Sequence, residues 1–145
     1  MTANPAPQFF SVEAQDARGQ RTDLLANTRT AYDGVRPINL LQTAVTTRLV
    51  VDASGEWRID VSPLSSAPTG TQGHGDQVLL LSGTPTSMTI DSNDTGGFFA
   101  VDAYGSHTQE LADSLDPVHT SVRLSPLANR VLVVRADGDW RAQPT

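Results

Sequence analysis

Apolar and polar residues alternate along much of the chain. Phe10, Val12 and Ala14 occupy every second position, and so do Phe99, Val101 and Ala103. A two-residue period places one set of side chains on the buried face of a strand. The pattern predicts strands near 9–15, 21–26, 36–41, 47–52, 56–61, 77–82, 87–91, 98–104, 107–112, 120–125, 130–136 and 139–142. Stretches 22–27 and 108–115 also fit short helices, the second stopped by Pro117; strand is the preferred reading of both. Many short strands separated by Gly, Asp and Asn turns point to an all-β protein, an antiparallel β-sandwich of jelly-roll-like character.

One stretch occurs twice. Residues 49–57 read LVVDASGEW and residues 132–140 read LVVRADGDW. Each predicts a β-hairpin. A two-residue loop would set Asp52 opposite Trp57. A three-residue loop instead pairs Val51 with Trp57 and Val134 with Trp140 and turns both indoles toward the core. The three-residue loop is preferred, and it requires Gly55 and Gly138 in the left-handed conformation.

The duplication extends further. Phe9–Ala14 matches Phe98–Ala103 at a spacing of 89. Gly19 and Leu25–Asn27 match Gly105 and Leu111–Asp113 at 86, Val35 and Arg36 match Val122 and Arg123 at 87, and the tryptophan stretches match at 83. Two pseudo-repeats follow, 9–62 and 76–142, joined by a Pro/Ser/Thr/Gly-rich connector at 63–75. A half of about 60 residues buries too little surface to be robust alone, so residues 1–145 are expected to form a single domain whose halves share one core. Two beads on a linker is the alternative.

Composition narrows the function classes. The chain has 145 residues, a net charge of −6 and no cysteine. Without a basic patch, nucleic acid is not an expected partner. Without cysteine there is neither a disulfide nor a thiolate site. No apolar run approaches a membrane span, and the first residues lack the pattern of a signal peptide. The location expected is cytoplasmic if Met1 is the natural start, and extracytoplasmic at the cell envelope if the chain is a fragment of a longer one.

Candidate chemistry is sparse. Asp91, Asn93 and Gly96 fall on positions 1, 3 and 6 of a calcium loop, with Asp102 on position 12. Thr95 is a poor ligand at position 5 and the flanks read as strands, so a polar turn is preferred and no metal is expected. His74, His107 and His119 stand singly, without zinc spacing. Ser106 beside His107 lacks a nucleophile elbow, so no catalytic residue is assigned and no enzyme is expected. No glycine-rich phosphate or dinucleotide loop occurs, so no cofactor is expected. Phe98 and Tyr104 fall on the face opposite Phe99 and Val101, and Phe9 on the matching strand. These three aromatics are the candidate partner-binding residues.

Several pieces together resemble a repeat of Gram-positive, especially actinobacterial, envelope-associated proteins, an uncharacterised β-sandwich type. They are Gly73-His-Gly-Asp-Gln-Val78, Gly97-Phe-Phe-Ala-Val101, Leu24-Leu-Ala-Asn27 and the two tryptophan stretches. The chain departs from the pattern at Glu110-Leu-Ala-Asp113, and its first copy lacks the Gly-Asp start. The resemblance implies an extracytoplasmic, non-catalytic accessory domain. The expected function is a binding or interaction module with a protein or cell-envelope glycan as partner and a possible homo-oligomeric state. A structural subunit of a phage or surface assembly is the alternative, and a cytoplasmic accessory protein the second.

Overall fold

A computed structural model of the protein describes residues 1–3, 9–40, 45–92, 97–128 and 130–145. They form an all-β structure in four antiparallel sheets, divided into two compact units, Met1–Val61 and Ser62–Thr145.

In the first unit the strands are β1 (Thr2–Ala3), β2 (Phe10–Gln15), β3 (Arg21–Thr28), β4 (Tyr32–Asp33), β5 (Arg48–Ala53) and β6 (Trp57–Arg58). One sheet has the order β4-β1-β6 and the other β3-β2-β5. The alternation on β2 works as read from sequence: Phe10, Val12 and Ala14 are fully buried. They form one cluster with Ala3, Leu25 and Ala26, against which Tyr32, Leu49, Val51 and Ile59 pack. Both sheets therefore contribute to one apolar interior, as in a sandwich.

In the second unit a 3-10 turn, Leu64–Ser66, precedes β7 (Gln72–His74), β8 (Gln77–Leu80), β9 (Ser87–Ser92), β10 (Phe99–Tyr104), β11 (Thr108–Ser114), β12 (His119–Arg123), β13 (Val131–Ala136) and β14 (Asp139–Pro144). The sheets run β12-β9-β14-β7 and β11-β10-β13-β8. Met88, Ile90, Trp140 and Ala142 of the first meet Phe99, Val101, Leu132 and Val134 of the second in one core.

The two units share one plan. Strands β1 to β6 have the pairings of β9 to β14, taken in order. Phe10 pairs with Thr28 and Ala53; Phe99 pairs with Ser114 and Ala136. These registers reproduce the spacings of 89, 86 and 83 found in the sequence. The ladder shifts after Val12 in one unit and after Val101 in the other, so a β-bulge carrying the buried Leu25 or Leu111 recurs at the same place. Strands β7 and β8 have no counterpart among the described residues of the first unit.

The structure corrects or extends the sequence reading at four points. First, the tryptophan stretches are not hairpins. β13 is flanked by β10 and β8, and β14 by β9 and β7, so the two strands lie in different sheets. Likewise β5 pairs with β2 while β6 pairs with β1. Each stretch is an arch that crosses from one sheet to the other. Val134 and Trp140 both reach the interior, but from opposite sheets. An arch does not need a hairpin's left-handed residue: Gly55 has φ +115°, whereas Gly138 is not left-handed. Second, the core residues of the two units form two clusters, one in each unit. Each unit closes its own pair of sheets over its own inner faces. Third, the connector 63–75 carries the 3-10 turn and β7. Fourth, residues 36–40 are not strand, and β4 ends at Asp33.

The same residue has different weight in the two arches. Trp140 is 4% exposed and Trp57 49%. Trp140→Ala should cost about 3–5 kcal/mol in urea unfolding, whereas Trp57→Ala should cost less than about 1.5 kcal/mol, because the residue is already half-exposed.

Candidate functional site

The burial of Trp140 has a specific cause. Strands β7 and β8 form a second arch, which lies over the first. β7 pairs with β14 and β8 with β13, so the segment clips across both sheets at one edge of the sandwich. Gly73 stands opposite Trp140. A Cβ at Gly73 would lie 2.6 Å from the indole Cζ2, so only glycine leaves room for the ring. The indole Nε1–H donates to the Gly75 carbonyl at 2.9 Å, which satisfies the polar end of a buried tryptophan. Gly75 has φ +65°, and its N–H donates to the Gly138 carbonyl at 3.0 Å. The Ala136 N–H donates to Asp76 Oδ1 at 3.0 Å, and His74 Nδ1 lies 2.8 Å from Asp139 Oδ1. Each position of Gly73-His-Gly-Asp76 therefore meets a part of the β13–β14 arch.

The described residues of the first unit form the arch without the clip. Among the described residues, β5 and β6 are the outermost strands of their sheets. Val50 is 38% exposed, whereas Val133, its counterpart, is 3%. Leu49 and Val51 are only partly buried, whereas Leu132 and Val134 are fully buried. Trp57 pairs with Ala3 as Trp140 pairs with Ser92, so the register is kept and only the cover is missing. Beside it, Arg58 is held by Asp60, with Nη2 to Oδ1 at 2.9 Å. That hydrogen bond, followed by the carboxylate charge, raises the Arg58 pKa above its ordinary value, so this side chain is always cationic. Together these features make a two-stranded open edge bearing an aromatic ring, a valine and charges of both signs.

The residues singled out from sequence are placed differently. Phe98 is 36% exposed and is already engaged. The Arg135 guanidinium sits 5.6 Å from its ring centroid and 3.2 Å from Asp102 Oδ2. Arg135 is opposite Ala100 in the ladder, so its side chain bridges Phe98 and Asp102 across that residue, and Ala100 is buried. Tyr104 is half-buried and also partnered. The expected open patch on β10 is therefore spanned by an arginine of the neighbouring strand β13. Phe9 is half-buried and belongs to the other unit, so it does not extend a sheet with Phe98. The two do share a local device: the Phe9 N–H donates to Ser54 Oγ and the Phe98 N–H to Asp137 Oδ2, each tying the strand to its arch.

The calcium-loop residues are not brought together as a site. Asp91 lies on β9, where its Oδ1 contacts His119 Nδ1, while Asp102 lies on β10 in the other sheet, paired with Arg135. Asn93 lies outside the described residues. No group of three His, Asp or Glu side chains suited to a metal occurs among the described residues.

Sequence reasoning missed Trp57 as an exposed residue, because its stretch reads like that of Trp140. The signal that separates them is the Gly-x-Gly-Asp lead-in, present only ahead of the second arch. No protein-family model, curated protein or solved structure matches this chain.

Filling the space at Gly73 tests the geometry of the clip. Gly73→Val should lower the stability of the second unit by about 1–3 kcal/mol and shift the Trp140 emission to longer wavelength. Gly70→Val, where a Cβ has 3.8 Å to its nearest neighbour, should leave that emission in place.

Proposed function

We propose that the chain is a non-catalytic interaction module that captures a partner polypeptide along the open edges of β5 and β6. One observation carries this reading: Trp57 stands half-exposed on an arch that no further strand covers among the described residues, whereas two further strands cover its counterpart in the same chain. Unpaired strand edges accept extended segments through main-chain hydrogen bonds, and a neighbouring ring supplies apolar area. The resemblance to envelope-associated repeats supports a place at the bacterial cell envelope, where a module of this kind would hold another protein. A glycan stacked on Trp57 would use the ring but not the strand edges, so a polypeptide is preferred.

The same open edges also favour the second reading, a structural subunit of a phage or surface assembly, because two copies can pair edge to edge. Sedimentation separates the two. A monomer at low micromolar concentration fits the module, and a stable closed oligomer fits the assembly.

The binding surface is tested with two sets of variants and the envelope fraction of the source organism. Trp57→Ala and Val50→Lys should each weaken retention about tenfold or more, as loss of a central anchor does. Phe98→Ala with Tyr104→Ala should leave it unchanged. The opposite result would move the site to the face of β10.

A further inference from the structure

The second unit holds a template of what covers such an arch, and the first unit shows where its own cover would have to differ. Resting on the reading of β5 and β6 as a binding edge, we infer that the partner segment is an arch of two short strands. Its sequence is Gly, a basic residue, Gly, Asn, any residue and then a branched apolar residue. It seats on Trp57 as residues 72–80 seat on Trp140.

Each requirement follows from a contact. The first glycine is needed because the facing indole occupies the space of a Cβ, as Trp140 does at Gly73. The second glycine corresponds to Gly75, whose left-handed turn directs its carbonyl at the indole N–H. The basic residue follows from charge. In the template His74 is paired with Asp139, and the position of Asp139 is held in the first arch by Glu56. A basic side chain between the two glycines therefore faces a carboxylate position in both units. The asparagine follows from a charge that differs. Asp76 comes directly before Gln77, which pairs with Val134, and it therefore lies beside Arg135 while accepting from the Ala136 N–H. In the first arch the place of Arg135 is taken by Asp52, and that of Ala136 by Ala53. The backbone donor still calls for an acceptor, but an aspartate there would face a like charge. Asparagine accepts without the charge. The branched apolar residue corresponds to Val78, opposite Val133; here it would cover the exposed Val50.

The experiment uses the full chain and synthetic peptides of residues 70–82. The first carries Asp76→Asn, the second the natural sequence, and the third Asp76→Asn with Gly73→Val. The readout is the pair of indole N–H resonances, assigned with a Trp57→Phe variant. The expected result is saturable binding of the first peptide below about 1 mM, with movement and exchange protection of the Trp57 signal only. The natural peptide should bind at least threefold more weakly, and the valine peptide at least tenfold more weakly. The inference is overturned if the Trp57 signal stays fixed, if the Trp140 signal moves because the peptide displaces the intramolecular clip, or if the valine peptide binds equally well. Loss of envelope retention in Trp57→Ala alongside a silent peptide titration would reject this partner sequence while leaving the binding edge itself standing. Silence in both would reject the edge.

Discussion

The second unit depends on one close approach, an indole lying on a glycine. A sandwich exposes the edge strands of both sheets, and an arch that crosses between them leaves an open seam at its rim. The clip formed by β7 and β8 closes the seam by bringing Gly73 against Trp140 and the Gly75 carbonyl to the indole N–H. That contact lets β7 and β8 pair at once with both sheets. The core then closes behind it, with Leu132 and Val134 fully buried. The first unit is the internal comparison. It has the same strand order, register and bulge with no clip among its described residues, and its equivalents Leu49 and Val51 remain only partly covered. The difference between a satisfied rim and an open one thus comes from nine residues, 72–80, and not from the plan of the sandwich.

Duplication with one copy covered and the other open gives the chain two kinds of surface from one pattern. An uncovered β-edge bearing tryptophan is a liability for a protein that has nothing to bind, since edges pair promiscuously. The first arch carries charge on the solvent face of β5, with Arg48 and Asp52 on either side of Val50, and Arg58 next to Trp57. Charges of this kind discourage pairing with arbitrary strands while leaving a matching segment free to dock.

The face of β10 teaches a separate lesson. From alternation alone, Phe98 and Tyr104 point away from the core, and an outer face of a two-layer sandwich has nothing above it. Yet a long side chain on the neighbouring strand can lie along that face. Arg135 does so, with its cation over the Phe98 ring and against the Asp102 carboxylate. The cross-strand pairing of β10 with β13 placed it there, by setting Arg135 opposite the distant residue Ala100.

Local sequence determined a great deal. The alternation of Phe10, Val12 and Ala14, and of Phe99, Val101 and Ala103, identified two buried strand faces, because the pleat alone decides which residues share a side. The repeat spacings of 89, 86 and 83 anticipated the registers of both central ladders. Turn residues located the reversals around Gly55 and Gly138. What a reversal cannot encode is whether the returning strand pairs with the one before it or crosses to the facing sheet, since hairpin and arch share the same turn residues and the same alternation. Distant strands made that choice by occupying the flanks of β13 and β14. The same holds for the two tryptophans, which have equivalent local sequences. Burial of one and exposure of the other were decided only in the tertiary structure, because a side chain is buried by what lies against it, and the glycines that cover Trp140 come from more than sixty residues away.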